Sequence, residues 1–186
     1  ELFKQGHIEL AKLVAVCYTY QLRAQSECFP LQAGVRHRDL NDNDWHSDVM
    51  ITESSVTIAL RRRKNTGVPS EIKRHCICKV WQPLGFFICG PCVLRGMIRG
   101  RSGRSGRIFQ HVKPSDIDLI KAIALKRGLG HATWHGFRRG RTMDVVAGLD
   151  IKNNPAASLN ELFDSGGWGH GSKAVFQYIT LRPLVY

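Results

Sequence analysis

Residues 135–141 (HGFRRGR) carry the side chains best suited to contacting a phosphate group. On a helix, positions three apart share a face, so His135 and Arg138 are expected to point at one target. A guanidinium is a planar fork that matches phosphate oxygens, and an imidazole gains or loses a proton near neutral pH. Taken alone, the stretch favours a basic helix that rests on nucleic acid without catalysis, and phosphate chemistry is the alternative.

Four cysteines form a second candidate site, in two close pairs separated by ten residues: Cys76-x-Cys78 and Cys89-x-x-Cys92. Two such pairs can supply all four ligands of a tetrahedral Zn²⁺ ion, which leaves no open position and makes the site structural. The pattern predicts a zinc knuckle over residues 76–92, with separate buried thiols or a reversible disulfide as the alternatives. Cys17 and Cys28 lie in apolar segments and are predicted core residues.

Five landmarks follow one another along the chain: Arg23 within LRAQSECFPL, Lys64 in a basic hairpin, the His135/Arg138 pair, Trp168 after two glycines, and Tyr178 within VFQYI. In this order and these contexts they resemble the catalytic C-terminal domain of the tyrosine recombinases. These are the phage-type integrases and site-specific recombinases, which some eukaryotic mobile elements also carry. The resemblance covers residues 8–180, and it implies a single domain, residues 1–186, that lacks the family's N-terminal clamp domain. The implied fold is mainly α with a small antiparallel β-sheet (α+β).

The resemblance also implies a reaction, site-specific DNA strand exchange through a covalent 3′-phosphotyrosyl intermediate. Tyr178 would attack the phosphorus atom while Arg23 and Arg138 hold the non-bridging oxygens. His135 would handle the proton of the nucleophile, and Lys64 would protonate the departing 5′ oxygen. No cofactor is needed for this catalysis, because the chain's own cations balance the charge that develops on the phosphate.

Three of these roles have alternatives. Trp168 would donate its indole N–H to the phosphate, and His170 is the alternative donor. Tyr178 is alternatively a core aromatic residue. Lys64 shares its hairpin with other cations that can lie nearer the DNA: Arg61, Arg62, Arg63 and Lys73.

Two features differ from the family's pattern. Residues 152–158 look inserted, and the step from Trp168 to Tyr178 is one residue longer than expected. A nucleophile misplaced by about 1 Å loses about a hundredfold in rate. The alternative function is therefore a catalytically inactive DNA-binding remnant of a mobile-element recombinase. A metal-dependent nuclease ranks third, because the acidic residues form no recognisable triad.

Local patterns predict the elements that must position these residues. We expect helices over residues 8–22, 24–29, 115–128 and 136–148, shorter helical pieces over 159–163 and 174–179, strands over 56–60 and 71–77, and turns over 41–44 and 65–69. Residues 99–107 are expected to form a flexible basic loop, because they contain no apolar side chain.

Charge indicates the class of partner. The chain has 186 residues, of which 43% are hydrophobic, and a formal net charge of +12. Such an excess of positive charge predicts a polyanionic partner, either nucleic acid or an acidic membrane surface. The resemblance implies that the partner is double-stranded DNA, with self-association on the DNA and no membrane. The apolar runs are too short for a membrane span, and the N-terminus has no signal-peptide layout. We therefore expect a fragment of a longer intracellular protein located with DNA, in the nucleus if the source is eukaryotic.

Overall fold

The N-terminal apolar segment forms the helix around which the other elements pack. In the computed structural model, helix α1 spans Ile8–Thr19, and its residues Leu10, Leu13 and Cys17 are buried at helical spacing. The structure describes residues 1–38, 44–61, 69–76, 78, 89–101, 104–148, 160, 163, 168 and 173. The predicted buried helix is confirmed, although it ends at Thr19 rather than at residue 22.

A π-helical turn, Ala24–Cys28, follows α1. Cys28 N–H donates to Arg23 O (3.2 Å) and Phe29 N–H donates to Ala24 O (2.8 Å), so each bond spans five residues. An α-helix spans four, and the turn therefore holds one residue more than an α-helical turn. The predicted short helix is present, but it is wider than an α-helix.

Two three-stranded antiparallel sheets are present among the described residues, where one sheet was expected. The first has the order β2-β1-β6, with strands Asp44–Ser47, Gln32–Arg38 and Gly106–Arg107. The second has the order β3-β4-β5, with strands Val49–Ile51, Ser55–Leu60 and Ser70–His75. The predicted hairpin corresponds to β4 and β5, which pair from Ser55 with His75 to Leu60 with Ser70. The coarse α+β class is thus confirmed.

Asp48 joins the two sheets. Its backbone N–H donates to Gln32 O in β1 (2.9 Å), and its backbone O accepts from Ala59 N–H in β4 (2.8 Å). Its carboxylate accepts the N–H of Gln32 (2.9 Å). One buried residue therefore fixes β1 relative to β4, and β1 begins four residues after the π-helical turn ends.

Three further helices follow: α2, Gly90–Arg99; α3, Ile117–Lys126; and α4, Trp134–Gly148. Helices α3 and α4 confirm the predictions, and Gly128, with φ of +68°, follows the end of α3. Helix α2 was not predicted. The expected basic loop was wrong in part, because Arg99 ends α2 and Gly106–Arg107 pairs with β1.

Helix α2 packs closely on α1. A Cβ atom placed on Gly90 would lie 2.7 Å from Thr19 Cβ, so glycine is required for this approach. Directly after α1, Tyr20 Oη donates to Val56 O in β4 (3.0 Å). Together these contacts fix the end of α1, from which the chain enters the π-helical turn.

Some expectations lie outside the described residues. They are the turn over 41–44 apart from Asp44, the turn over 65–69 apart from Pro69, residues 174–179, and most of residues 159–163. The described part of the chain contains no helix that is long and apolar enough to cross a bilayer.

We predict that Leu13→Ala lowers the free energy of unfolding by about 2–5 kcal/mol, because it leaves a cavity in the core. Leu13 has no exposed surface, whereas Leu125 in α3 is 76% exposed. The matched variant Leu125→Ala should therefore change stability by less than about 0.5 kcal/mol. Equilibrium unfolding in urea measures both values. Equal losses would contradict the burial of α1.

Candidate functional site

Glu27 fixes Arg23 at the start of the π-helical turn. The Glu27 carboxylate accepts the backbone N–H of Arg23 (2.8 Å) and its Nη1–H (2.9 Å). Glu27 is 3% exposed. The Arg23 side chain keeps 21% of its surface exposed, so its guanidinium remains accessible at the protein surface.

Arg138 reaches the same carboxylate from α4. Its Nη1 lies 3.6 Å from Glu27 Oε2, and its side chain is 1% exposed. Helix α4 and the π-helical turn are more than one hundred residues apart in sequence, so only the tertiary fold brings the two arginines together. The expectation that Arg23 and Arg138 face one centre agrees with this geometry, although Arg138 lies beneath the surface rather than on it.

The two arginines share one buried carboxylate. Removing one ion from water costs several kcal/mol, so Glu27 and Arg138 are each tolerated in the interior because the other is present. The Arg23 and Arg138 guanidinium groups thus both pair with the Glu27 carboxylate. Of the two arginines, Arg23 has the exposed surface that an anion can reach.

Trp168 packs against Arg138. The Arg138 Cζ atom lies 4.6 Å from the centroid of the indole ring, a cation–π distance. Trp168 is 5% exposed, and its backbone N–H donates to Phe163 O (3.0 Å). The structure therefore places the ring of Trp168 on the guanidinium of Arg138.

A cleft of about 600 Å³ lies beside this charge centre. It is lined by Arg23, Ala24, Gln25, Ser26, Thr133, Trp134 and His135. Its volume falls within the range of small-molecule sites, and Arg23 supplies the accessible cation. Arg138 and Trp168 are not among the lining residues.

His135 lies in the first turn of α4, at the edge of this cleft. Thr133 fixes the start of the helix, because its Oγ1 accepts the N–H of Gly136 (2.9 Å). Partial burial lowers the pKa of His135, and the positive charges of Arg138 and Arg23 lower that pKa further. The imidazole is therefore neutral at pH 7 and able to accept a proton.

Two predicted catalytic residues, Lys64 and Tyr178, lie outside the described residues, as does His170. Of the alternative cations of the hairpin, Arg61 forms an ion pair with the buried Asp48 (3.3 Å), and Lys73 is exposed on β5. Arg62 and Arg63 also lie outside the described residues.

Sequence reasoning missed Glu27 and Thr133 as site residues. A signal for Glu27 was available, because a carboxylate four residues after an arginine is a common ion-pair spacing within a helix. A signal for Thr133 was also available, because threonine shortly before a helix is a frequent N-cap.

The four clustered cysteines form a separate centre at the N-terminal end of α2. Cys76 follows β5, Cys89 precedes α2 and Cys92 lies in its first turn. The Sγ–Sγ distances are 3.2 Å for Cys76–Cys92, 3.5 Å for Cys78–Cys92 and 3.9 Å for Cys76–Cys89, and all four Sγ atoms lie within 4.8 Å of one another. The four thiols are thus close enough together to bind one metal ion.

The four thiols differ in acidity. Burial raises the pKa of Cys78 to about 11, and burial together with the neighbouring thiols raises the pKa of Cys92. A hydrogen bond from the backbone of Cys78, with a second from the thiol of Cys92, lowers the pKa of Cys76 to about 7. Cys17 and Cys28 are fully buried, which confirms them as core residues.

We predict that NMR titration gives His135 a pKa below 6.5, and that Arg23→Gln raises this pKa because it removes a nearby positive charge. Arg107→Gln changes an exposed arginine in β6 that does not act on His135, so it should leave the pKa unchanged. Because the pKa in the folded state lies below that of the unfolded chain, the unfolded chain binds the proton more readily. The free energy of unfolding should therefore decrease as the pH falls through about 6.5. A titration in which Arg107→Gln shifts His135 as much as Arg23→Gln would contradict the geometry.

Comparison with protein-family profiles, with curated proteins and with solved structures gave no match to this chain. Inferences about its function therefore rest on its own residues and on the geometry described above.

Proposed function

We propose that this chain is a tyrosine-recombinase-type catalytic domain that binds double-stranded DNA and exchanges strands through a covalent 3′-phosphotyrosyl intermediate. One observation carries the proposal. Arg23, His135 and Arg138, which come from two distant parts of the sequence, are brought together beside one cleft, with both arginines paired to the Glu27 carboxylate. A basic surface that only rests on DNA through scattered cations has no need to gather side chains from distant parts of the sequence at one cleft.

In this proposal the scissile phosphate enters the cleft and meets Arg23 first. The positive charge of Arg23, supported from below by Arg138, stabilises the charge that develops on the non-bridging oxygens. Tyr178 Oη attacks the phosphorus atom and passes its proton to the neutral imidazole of His135. The bond between phosphorus and the 5′ oxygen breaks, and Lys64 protonates this oxygen as it leaves.

The phosphotyrosyl link retains the energy of the phosphodiester bond, so a 5′ hydroxyl of another strand can reverse the step without a nucleotide cofactor. Strand exchange needs at least two active centres, and self-association on DNA is therefore part of the proposal.

A DNA-binding remnant without catalytic activity is the second candidate. The burial of Arg138 favours it, since only Arg23 of the two guanidinium groups has substantial exposed surface. The two candidates differ in one respect, which is whether Tyr178 forms a bond to DNA.

We predict that the chain becomes covalently attached to a nicked suicide DNA substrate, whose short leaving strand diffuses away after cleavage. Tyr178→Phe should abolish the attachment, and Tyr186→Phe should retain it. Arg23→Ala should slow it by about a hundredfold or more, as removal of one oxyanion-stabilising group does in other enzymes. The readout is a shift in mobility on a denaturing gel.

DNA binding without attachment in the wild-type chain would favour the inactive remnant. Attachment that persists in Tyr178→Phe would exclude Tyr178 as the nucleophile.

We also propose that the ion bound by the cysteine cluster is Zn²⁺ and that its role is structural. A tetrahedral Zn–thiolate site with bonds of about 2.3 Å has sulfur–sulfur distances of about 3.8 Å. Three of the six distances in the cluster are 3.2, 3.5 and 3.9 Å, and all six are within 4.8 Å, so small shifts of the side chains would produce this geometry. Four thiolates leave no position for water or substrate. The ion would tie the end of β5 to the start of α2, and through α2 it would support α1 and Arg23.

We predict that protein purified under reducing conditions contains about one equivalent of zinc, and that a chelator lowers its melting temperature, because metal binding contributes to folding. Cys92→Ser should lose the metal, whereas Cys17→Ala, which changes a buried core thiol, should retain it. Elemental analysis and thermal unfolding measure the two effects. Metal-free protein with an unchanged melting temperature would exclude the site.

A further inference from the structure

The buried guanidinium of Arg138 has two kinds of surface, an edge of N–H groups and two flat faces. The edge contributes to the ion pair with Glu27, in which Nη1 lies 3.6 Å from Oε2. The indole ring of Trp168 lies over the guanidinium, with its centroid 4.6 Å from Cζ. The carboxylate and the ring therefore act on the same cation in different ways.

The position of Trp168 bears on the role expected from the sequence, in which its indole N–H donates to the scissile phosphate. The residue is 5% exposed and does not line the cleft that Arg23 and His135 border. An indole N–H lies in the plane of the ring, so a ring that packs through its face directs the N–H sideways and not toward the guanidinium. The structure thus favours the ring face, and not the N–H group, as the active part of Trp168.

We propose that Trp168 is a positioning residue that acts on Arg138 by a cation–π interaction, and that it is not a donor to the phosphate. This inference rests on the proposed function for its effect on catalysis. The ring holds the guanidinium against Glu27, and this fixes the position of the positive charge below Arg23. In a site with little water the interaction is stronger than at an exposed surface, which makes it suited to this task.

Fluorination of the indole ring separates the two roles. Each fluorine withdraws electron density from the ring and weakens its attraction for a cation, whereas it makes the N–H group more acidic and a stronger donor. Tryptophans with zero, one, two and three ring fluorines can be incorporated at position 168. They differ little in size, so the variants should fold.

For this series we expect the rate of covalent attachment to suicide DNA to fall stepwise, by about tenfold from the unsubstituted to the trifluorinated ring. A rate that is unchanged or rises with fluorination would overturn the inference.

Two ordinary substitutions provide an independent test. Trp168→Phe keeps an aromatic face but has no N–H group, so it should retain most of the attachment rate. Trp168→Leu keeps apolar volume without a π system, so it should lose at least as much rate as the trifluorinated variant. If Trp168→Leu matches Trp168→Phe, packing alone accounts for the residue and the inference is wrong.

The melting temperature of each fluorinated variant separates the inference from the proposed function. A stepwise decrease in melting temperature at position 168 supports the cation–π contact even if the wild-type chain never attaches to DNA. That outcome would reject strand exchange and keep the contact. Attachment by the wild-type chain with no trend in rate or melting temperature would reject the contact and keep strand exchange.

Discussion

The ion pairs of Glu27 are the interaction on which the candidate site depends. One buried carboxylate holds a partly exposed arginine on one side and a buried arginine on the other. Opposite charges at short distance in a poorly hydrated interior interact strongly, but they offset the cost of desolvation only if the geometry is maintained. The positions of α1, the π-helical turn and α4 set this geometry. Each of these elements must therefore keep the two guanidinium groups within ion-pair distance of the Glu27 carboxylate.

The two sheets and the cysteine cluster support the geometry of these ion pairs indirectly, through their contacts with α1 and α2. Asp48 fixes the first sheet against the second, and Tyr20 connects the end of α1 to β4. The cysteine cluster joins the end of β5 to the start of α2, which packs on α1 through Gly90. The position of Arg23 thus depends on contacts that lie far from the cleft.

The sequence allowed prediction of the elements whose signals are local. Apolar periodicity identified α1, and alternation with a turn between identified β4 and β5. Helix α2 was missed because Gly90, Pro91 and Gly96 look like helix breakers, although proline is well tolerated in the first turn of a helix. Strand β1 was missed because Gln32–Arg38 contains Gly34 and has Val35 as its one β-branched residue, so its local strand signal is weak.

In the candidate site too, features with a local signal were predictable and features that depend on tertiary packing were not. The residue types and spacing of His135 and Arg138 were informative, because they lie on one helix. The shared carboxylate, the buried state of Arg138 and the ring contact of Trp168 were not predictable, since each depends on tertiary packing. The two cysteine pairs indicated a shared site, because two close pairs of thiols are typical of the ligands of a zinc ion.

The distance along the chain between Glu27 and Arg138 has a consequence for how the protein is made. During synthesis the N-terminal elements leave the ribosome well before α4 does, and domains generally begin to fold from the N-terminus. Until α4 arrives, Glu27 would be buried with Arg23 as its only described cationic neighbour in the ion-pair centre. Burial of Glu27 is therefore unfavourable before Arg138 is available, and we expect the α1 segment to pack fully only after most of the chain has emerged. The fold is then completed in the same late step that brings Arg138 to Glu27.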